Sequence, residues 1–299
     1  MDKKDNDTHR LILERRKKLS KLKDNNNFYR NIFPKGQTCA SIIEMSLDEK
    51  ILSNKNKEVV VNGRMMSKRV MGKSSFANIK DETGTIQFYV DKTDLNEEVF
   101  KVFKESDIGD IVHVSGYLFK TKTGELTIHV KNFEVVTKSL RPLPEKYHGL
   151  ADQEIKYRKR YLDLICNDDT RNIFDIRFKA IRSIRNYFDE KGFIEVETPM
   201  MHKIPGGATA RPFITHHNTL DMDLYMRIAP ELFLKRLIVG GFSKIFEINR
   251  NFRNEGVSSK HNPEFTMVEF YKTFSTYIDM MNLTEELIRK VVKEVKGSN

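Results

Sequence analysis

The chain has 299 residues, of which 39% are hydrophobic and 31% charged, with a formal charge of +10. That length suits two domains, each able to bury a core, and the basic excess suits a polyanionic partner, RNA first. The composition excludes a fully disordered chain, two cysteines exclude a disulfide scaffold, and no apolar run reaches the roughly 18 residues of a membrane span.

Residues 1–30 hold ten Lys or Arg and five Asp or Glu. Leu11, Ile12, Leu19 and Leu22 form a weak apolar stripe, which predicts a basic helix from Thr8 to Lys23, ended by Asp24 and Asn25-Asn26-Asn27. The pattern fits a solvated helix on the body and an RNA-touching arm equally. Residues 1–57 together read as an N-terminal basic helical region. Met1-Asp2-Lys3-Lys4-Asp5 lacks an apolar signal core, and with the cysteine usage the expected location is cytoplasmic.

Over 58–136 the pattern becomes all-β. Strands are predicted at Glu58–Met66, Phe76–Lys80, Thr85–Val90, Asp110–Phe119 and Glu125–Val136, rich in Val, Ile, Phe and Tyr. Glu82-Thr83-Gly84 and Lys122-Thr123-Gly124 supply turns, and Asp94–Lys104 reads as a short helix. Five strands with a helix after the third is the element order of an OB-fold barrel. Arg64, Lys68, Arg69 and Lys73 read equally as phosphate contacts or as a solvated basic strand and turn.

Pro142, Pro144 and Gly149 mark 137–150 as a linker. Beyond it, 151–299 is mixed. A helix is predicted at Asp169–Lys191, stopped by Gly192, then a strand at Phe193–Val196 and a loop at Pro205-Gly206-Gly207. Strands follow at Phe213–His216 and Leu224–Ile228, then a helix at Pro230–Val239. Strands Lys244–Asn249 and Glu264–Tyr271 flank a polar loop, and a helix runs from Tyr277 to Lys296. The fold class is therefore α+β in two domains.

Phe252-Arg253-Asn254-Glu255, with His261 and Phe265 beyond, is the sharpest chemical feature. A guanidinium can grip a phosphate bidentately, a carboxylate can accept from an exocyclic amine, and Phe265 can face a purine. By residue types alone, a charged hairpin with Phe265 in the core fits as well. His216-His217 reads as a loop pair, and no Cys or His cluster has zinc spacing, so no metal ligand is expected.

The strings resemble a known family. Phe252–Glu255 with His261-Asn262-Pro263-Glu264-Phe265-Thr266 is similar to motif 2 of class II aminoacyl-tRNA synthetases. Gly192-Phe193-Ile194-Glu195-Val196-Glu197-Thr198-Pro199 is similar to motif 1. Pro205–Phe213 and Ala229-Pro230-Glu231-Leu232 resemble the lysyl subgroup, as do Gly63-Arg64-Met65-Met66 and Phe119–Glu125 in the β-rich half. The likeness, to the bacterial-type lysyl-tRNA synthetases, runs from about residue 10 to the end.

The resemblance implies an N-terminal OB-fold anticodon-binding domain followed by an antiparallel-sheet catalytic domain. It implies ATP-dependent activation of lysine and transfer to tRNA(Lys). Arg253 would act on the α-phosphate of ATP, Glu255 would read adenine, Phe265 would stack on it and His261 would meet the outer phosphates. Gly207, Glu231, Glu269 and Tyr271 fall at lysine-binding positions. Phe76, Gln87 and Glu125 fall at anticodon-reading positions, with Arg69 as a backbone contact. Pro199 would lie in a homodimer interface, and Mg²⁺ would accompany the ATP phosphates. No membrane partner is implied.

One part of the family pattern is missing. Motif 3 is a glycine-rich segment ending in Arg, and this sequence contains no Gly-x-Gly. The expectation is a C-terminally shortened catalytic domain, inactive alone, with Mg²⁺ ligands in the missing part. Two other readings stay open: a non-catalytic tRNA-binding remnant working through the barrel, and an aspartate or asparagine enzyme. Glu231 and Glu269 suit an ammonium better than a carboxylate and weigh against aspartate.

Overall fold

A computed structural model describes residues 3–24, 35–52, 54–144, 152–258 and 260–297. Asn25-Asn26-Asn27 and residues 145–150 of the expected linker lie outside the described residues. The chain divides into two compact units, Met1–Cys166 and Asn167–Asn299.

In the first unit, α1 (Lys3–Asp24), α2 (Cys39–Met45) and α3 (Glu49–Leu52) precede the strands. Then come β1 (Glu58–Met71), β2 (Ser74–Lys80), β3 (Thr85–Asp91), α4 (Glu97–Glu105), β4 (Ile111–Lys120) and β5 (Leu126–Thr137). The strands close into a barrel in the order β1-β2-β3-β5-β4. All five expected strands are present, because strict alternation sends Ala77, Ile79, Ile86, Phe88 and Val90 inward while their neighbours face out. Gly116 is required by close approach: a Cβ there would sit 1.9 Å from the His129 carbonyl oxygen, beside the bulge at Ser115/Gly116.

The basic helix is anchored to the barrel. Arg15, almost fully buried, donates to the carbonyls of Ser139 and Arg141, and Lys18 pairs with Asp107 at 2.7 Å. Asp107 also pairs with Lys138, whose ammonium reaches Asp110 at 2.6 Å. Burial alone would raise the Asp107 carboxyl, but the bonds from Lys138 and Lys18 outweigh it and hold the carboxyl below its usual range. Two of the four candidate phosphate contacts are occupied internally. Arg64 donates to the Gly109 carbonyl at 2.7 Å, and Lys68 donates to the carbonyls of Phe103, Lys104 and Ser106 at the end of α4. Burial pushes the Lys68 ammonium down to about 8. Arg69 stays exposed on β1. The first unit closes with α5 (Gln153–Arg158) and α6 (Arg160–Cys166).

The second unit begins with α7 (Asp168–Glu190), β6 (Ile194–Glu195), β7 (Met201–His202), β8 (Ile214–His217) and β9 (Met222–Met226). It continues with α8 (Glu231–Val239), β10 (Lys244–Phe252), β11 (Glu264–Lys272) and α9 (Tyr277–Lys296). One sheet has the order β11-β10-β6 and a smaller one β7-β9-β8. The β10–β11 pair is antiparallel, whereas β6 joins β10 in parallel. One face of this sheet is apolar: Phe246, Ile248, Val268 and Phe270 pack with Tyr187 and Phe188 of α7 and Leu283 and Leu287 of α9. Strand alternation then sends Glu247, Asn249 and Asn251 of β10, with Phe265, Glu269 and Tyr271 of β11, to the opposite face.

Candidate active site and nucleic-acid face

The polar face of β10 and β11 gathers the expected amino-acid site. Glu269 lies opposite Glu247 in the register, and Tyr271 donates its hydroxyl to Glu269 at 2.7 Å. Two carboxylates directly opposed are unfavourable unless neutralised. Arg227, fully buried, does this for Glu247 through a 2.7 Å ion pair, and Thr198 donates to the same carboxylate at 2.7 Å. Glu231 opens α8 and pairs with Lys235 at 2.5 Å. Gly207 packs against it: a Cβ at Gly207 would meet the Glu231 Cβ at 3.0 Å, and its φ of +90° favours glycine. Burial raises the Glu269 carboxyl, as do the nearby charges of Glu231 and Glu247. Burial also raises the Tyr271 hydroxyl, reinforced by Glu269. Gly207, Glu231, Glu269 and Tyr271 therefore occupy one neighbourhood.

Arg253 follows the end of β10, and its guanidinium lies over the Phe265 ring at 5.1 Å. Phe265 is half-buried on the polar face and outside the apolar core. The backbone N–H of Asn254 donates to the Arg211 carbonyl at 2.7 Å, which joins the loop carrying Glu255 to the loop after Gly207. Thr209, Ala210, Arg211, Asn254 and Glu255 line an open cleft. His261 stands at the exposed hairpin tip, bonded to Ser258 at 2.8 Å. No contact joins His261 to Arg253 or Glu255 among the described residues.

On the barrel, the outward side chains of β2, β3 and β5 make a second candidate face. Arg69 lies opposite Phe76, and Phe76 opposite Tyr89. The half-exposed Phe76 ring is 4.9 Å from Tyr89, Tyr89 is 5.2 Å from His129, and His129 stacks on Tyr117 at 4.7 Å. Gln87 is fixed at both ends of its amide: Nε2 donates to Glu125 at 3.0 Å and Oε1 accepts from Thr127 at 2.9 Å.

The family described as class II tRNA synthetases (D, K and N) matches residues 152–299, and the OB-fold nucleic-acid-binding family matches 59–136. The lysine–tRNA ligase of Pelotomaculum thermopropionicum is 54% identical over 296 residues, 99% of this chain and 58% of that relative. Those of Nitrosomonas europaea and Dechloromonas aromatica are 53% and 55% identical, each over 294 residues. They align with 98% and 97% of this chain, which spans 59% and 58% of their lengths. The chain belongs to the class II tRNA synthetases.

In this synthetase chain, sequence reasoning missed Arg227, Glu247 and Asn251. The signal available was a polar residue at every second position of an otherwise apolar strand, Glu247-Ile248-Asn249 and Asn251-Phe252, which marks a strand with one face in a site. Pro199 is exposed beside the buried Thr198. Among the described residues no helix is long and apolar enough to cross a membrane.

Proposed function

We propose that the chain carries amino-acid-activating and anticodon-reading residues of a lysine–tRNA ligase. The supporting observation is a charge balance. Glu231 and Glu247 both lie close enough to act on Glu269, while Arg227 and Lys235 are the cations paired into the group. One negative charge is left over, which attracts an ammonium and repels the side chain of aspartate. Gly207 leaves room beside Glu231 for the ligand, and Glu269 with Tyr271 forms the wall.

In activation, a carboxylate oxygen of lysine bonds to the α-phosphorus of ATP. The bond to the bridging oxygen breaks, and pyrophosphate leaves with its electrons. The acyl group then passes to a ribose hydroxyl of tRNA(Lys): the ester bond forms, the acyl–phosphate bond breaks, AMP leaves and the hydroxyl gives up its proton. The protein's part is placement and charge stabilisation. Arg253 grips the α-phosphate, Glu255 accepts from the adenine amine, Phe265 stacks on the ring and His261 meets the outer phosphates. Among the described residues no three His, Cys, Asp or Glu side chains are arranged to hold a metal ion, and no step of the proposal runs through Mg²⁺.

On the barrel, Phe76 stacks an anticodon base and Arg69 takes a neighbouring phosphate. The fixed Gln87 amide has one N–H to spare, and Glu125 supplies an acceptor beside it. Together they fit a base edge that pairs an acceptor with an N–H. A cytoplasmic homodimer with Pro199 at its interface completes the proposal. Calorimetric titration with L-lysine, L-aspartate and L-asparagine, followed by amino-acid-dependent exchange of pyrophosphate into ATP, tests it. Of the three, only lysine is expected to bind, and neither aspartate nor asparagine is expected to support exchange. Binding or exchange with aspartate in its place sinks the reading.

A further inference from the structure

The polar face of β10 holds a group that the proposed chemistry does not use. Asn251 is fully buried, yet neither its Nδ2 nor its Oδ1 has a hydrogen-bond partner. Alternation puts it on the face of Glu247, and the register sets it opposite Phe265. Arg253 lays its guanidinium over that same ring, and its Nε is buried without a partner. On the other flank, Arg227 donates Nε to the Arg250 carbonyl at 2.8 Å and Nη1 to Glu247 at 2.7 Å, leaving Nη2 buried and unpartnered. Buried polar atoms nearly always find partners, so four such atoms on three neighbouring side chains need a reason.

We propose that Asn251 is the positioning residue for Arg253. Its amide oxygen takes the Arg253 Nε–H when the guanidinium turns from the Phe265 ring toward a phosphate. With Nε held, both Nη groups stay free for a bidentate grip. Glu247 is the competing acceptor on that face, and Arg227 already occupies it, so Arg253 is not captured by a carboxylate. The unpartnered amide is a stability cost kept for function, as strained or unsatisfied groups at sites commonly are. The inference rests on the reading of Arg253 as a nucleotide-binding residue.

The two ideas separate in one experiment on the 299-residue chain, titrating ATP and L-lysine and measuring thermal melting for wild type, Asn251→Leu and Arg253→Ala. Asn251→Leu, which keeps the branching and heavy-atom count of the side chain, is expected to weaken ATP by about tenfold, the loss of one charge-assisted hydrogen bond, and to leave lysine affinity unchanged. Its melting temperature is expected to stay level or rise, since an unsatisfied amide has been replaced by an apolar group. A merely structural Asn251 would lower melting and both affinities together, which overturns the inference. Unchanged ATP affinity in Asn251→Leu, with a loss in Arg253→Ala, overturns the inference and leaves the nucleotide reading intact. Unchanged affinity in Arg253→Ala, or no ATP binding by wild type, overturns both. If the leucine does not fold, Asn251→Ala carries the same ATP-selective expectation.

Discussion

The barrel and the synthetase unit solve the same burial problem with different completeness. The barrel closes its hydrogen-bond ladder on itself and seals a continuous core from Val59 to Val135. Closure gives every barrel strand a paired neighbour on both sides. The second unit buries a smaller cluster around Phe188 and Phe246 and keeps many apolar side chains outside, among them Ile173, Phe178, Tyr277, Met281 and Ile288. Its sheet is apolar on one face and charged on the other. The barrel thus holds its proposed recognition residues on a closed scaffold, whereas the second unit holds its buried charges beside the proposed site.

The largest way to break that contrast is Arg227→Met. Glu247 would be left buried without its counter-ion, at a cost of about 3–5 kcal/mol. Calorimetry should show the transition of the second unit collapse while the barrel transition stays in place. A joint shift of both would mean that the units unfold together. Glu269→Gln comes next, weakening lysine by about 2 kcal/mol through loss of a charged partner, read by titration.

The same carboxylate makes an opposed pair of pH effects. Its raised folded-state affinity for a proton means that, just above the ordinary carboxylate range, the folded state holds a proton the unfolded chain has lost. Stability should therefore fall as pH rises through that window, while lysine affinity rises because an ammonium needs the ionised form. Parallel trends in melting and binding across that window would contradict the assignment.

In the barrel, Asp107→Asn should loosen α1 at a cost of about 1–3 kcal/mol. The Asp107 carboxyl is held low, so its contribution is complete above the ordinary carboxylate range and is lost as pH falls below it. Hydrogen exchange in α1 measures this, and unchanged protection would show that the helix is held without the Asp107 pair. The smallest effect belongs to Met281→Lys with Ile288→Lys on the outer face of α9. Stability should move by no more than about 0.5 kcal/mol, while self-association in sedimentation falls.

Much of the fold was legible because its signals are periodic. The five barrel strands alternate, and between Asp169 and Lys191 the apolar residues Ile173, Phe174, Ile181, Ile184 and Phe188 recur at helical spacing. Helices α2, α3, α5 and α6 and the two-residue β7 were missed because a segment of one or two turns, or two residues, is too short to display a period. The site was half legible. Gly207, Glu231, Glu269 and Tyr271 could be named from their strings, and the fold sets them together. Charges misled where the partner is remote in sequence. Arg64 and Lys68 read equally as phosphate contacts or as solvated charges, yet their donors end on carbonyls 45 and 35 residues away. Arg227 carried no signal at all, since a lone arginine in Met226-Arg227-Ile228 looks like any edge residue until Glu247 is placed beneath it.

The pairing of β10 with β11 carries one more consequence. A slip of one residue would turn Glu269 and Tyr271 into the aromatic packing around Phe188 and expose Val268 and Phe270 on the charged side. The apolar face therefore acts as an error check on assembly: a chain whose strands are misaligned by one residue cannot retain its core and present a faulty binding site, so quality control of folding doubles as quality control of chemistry.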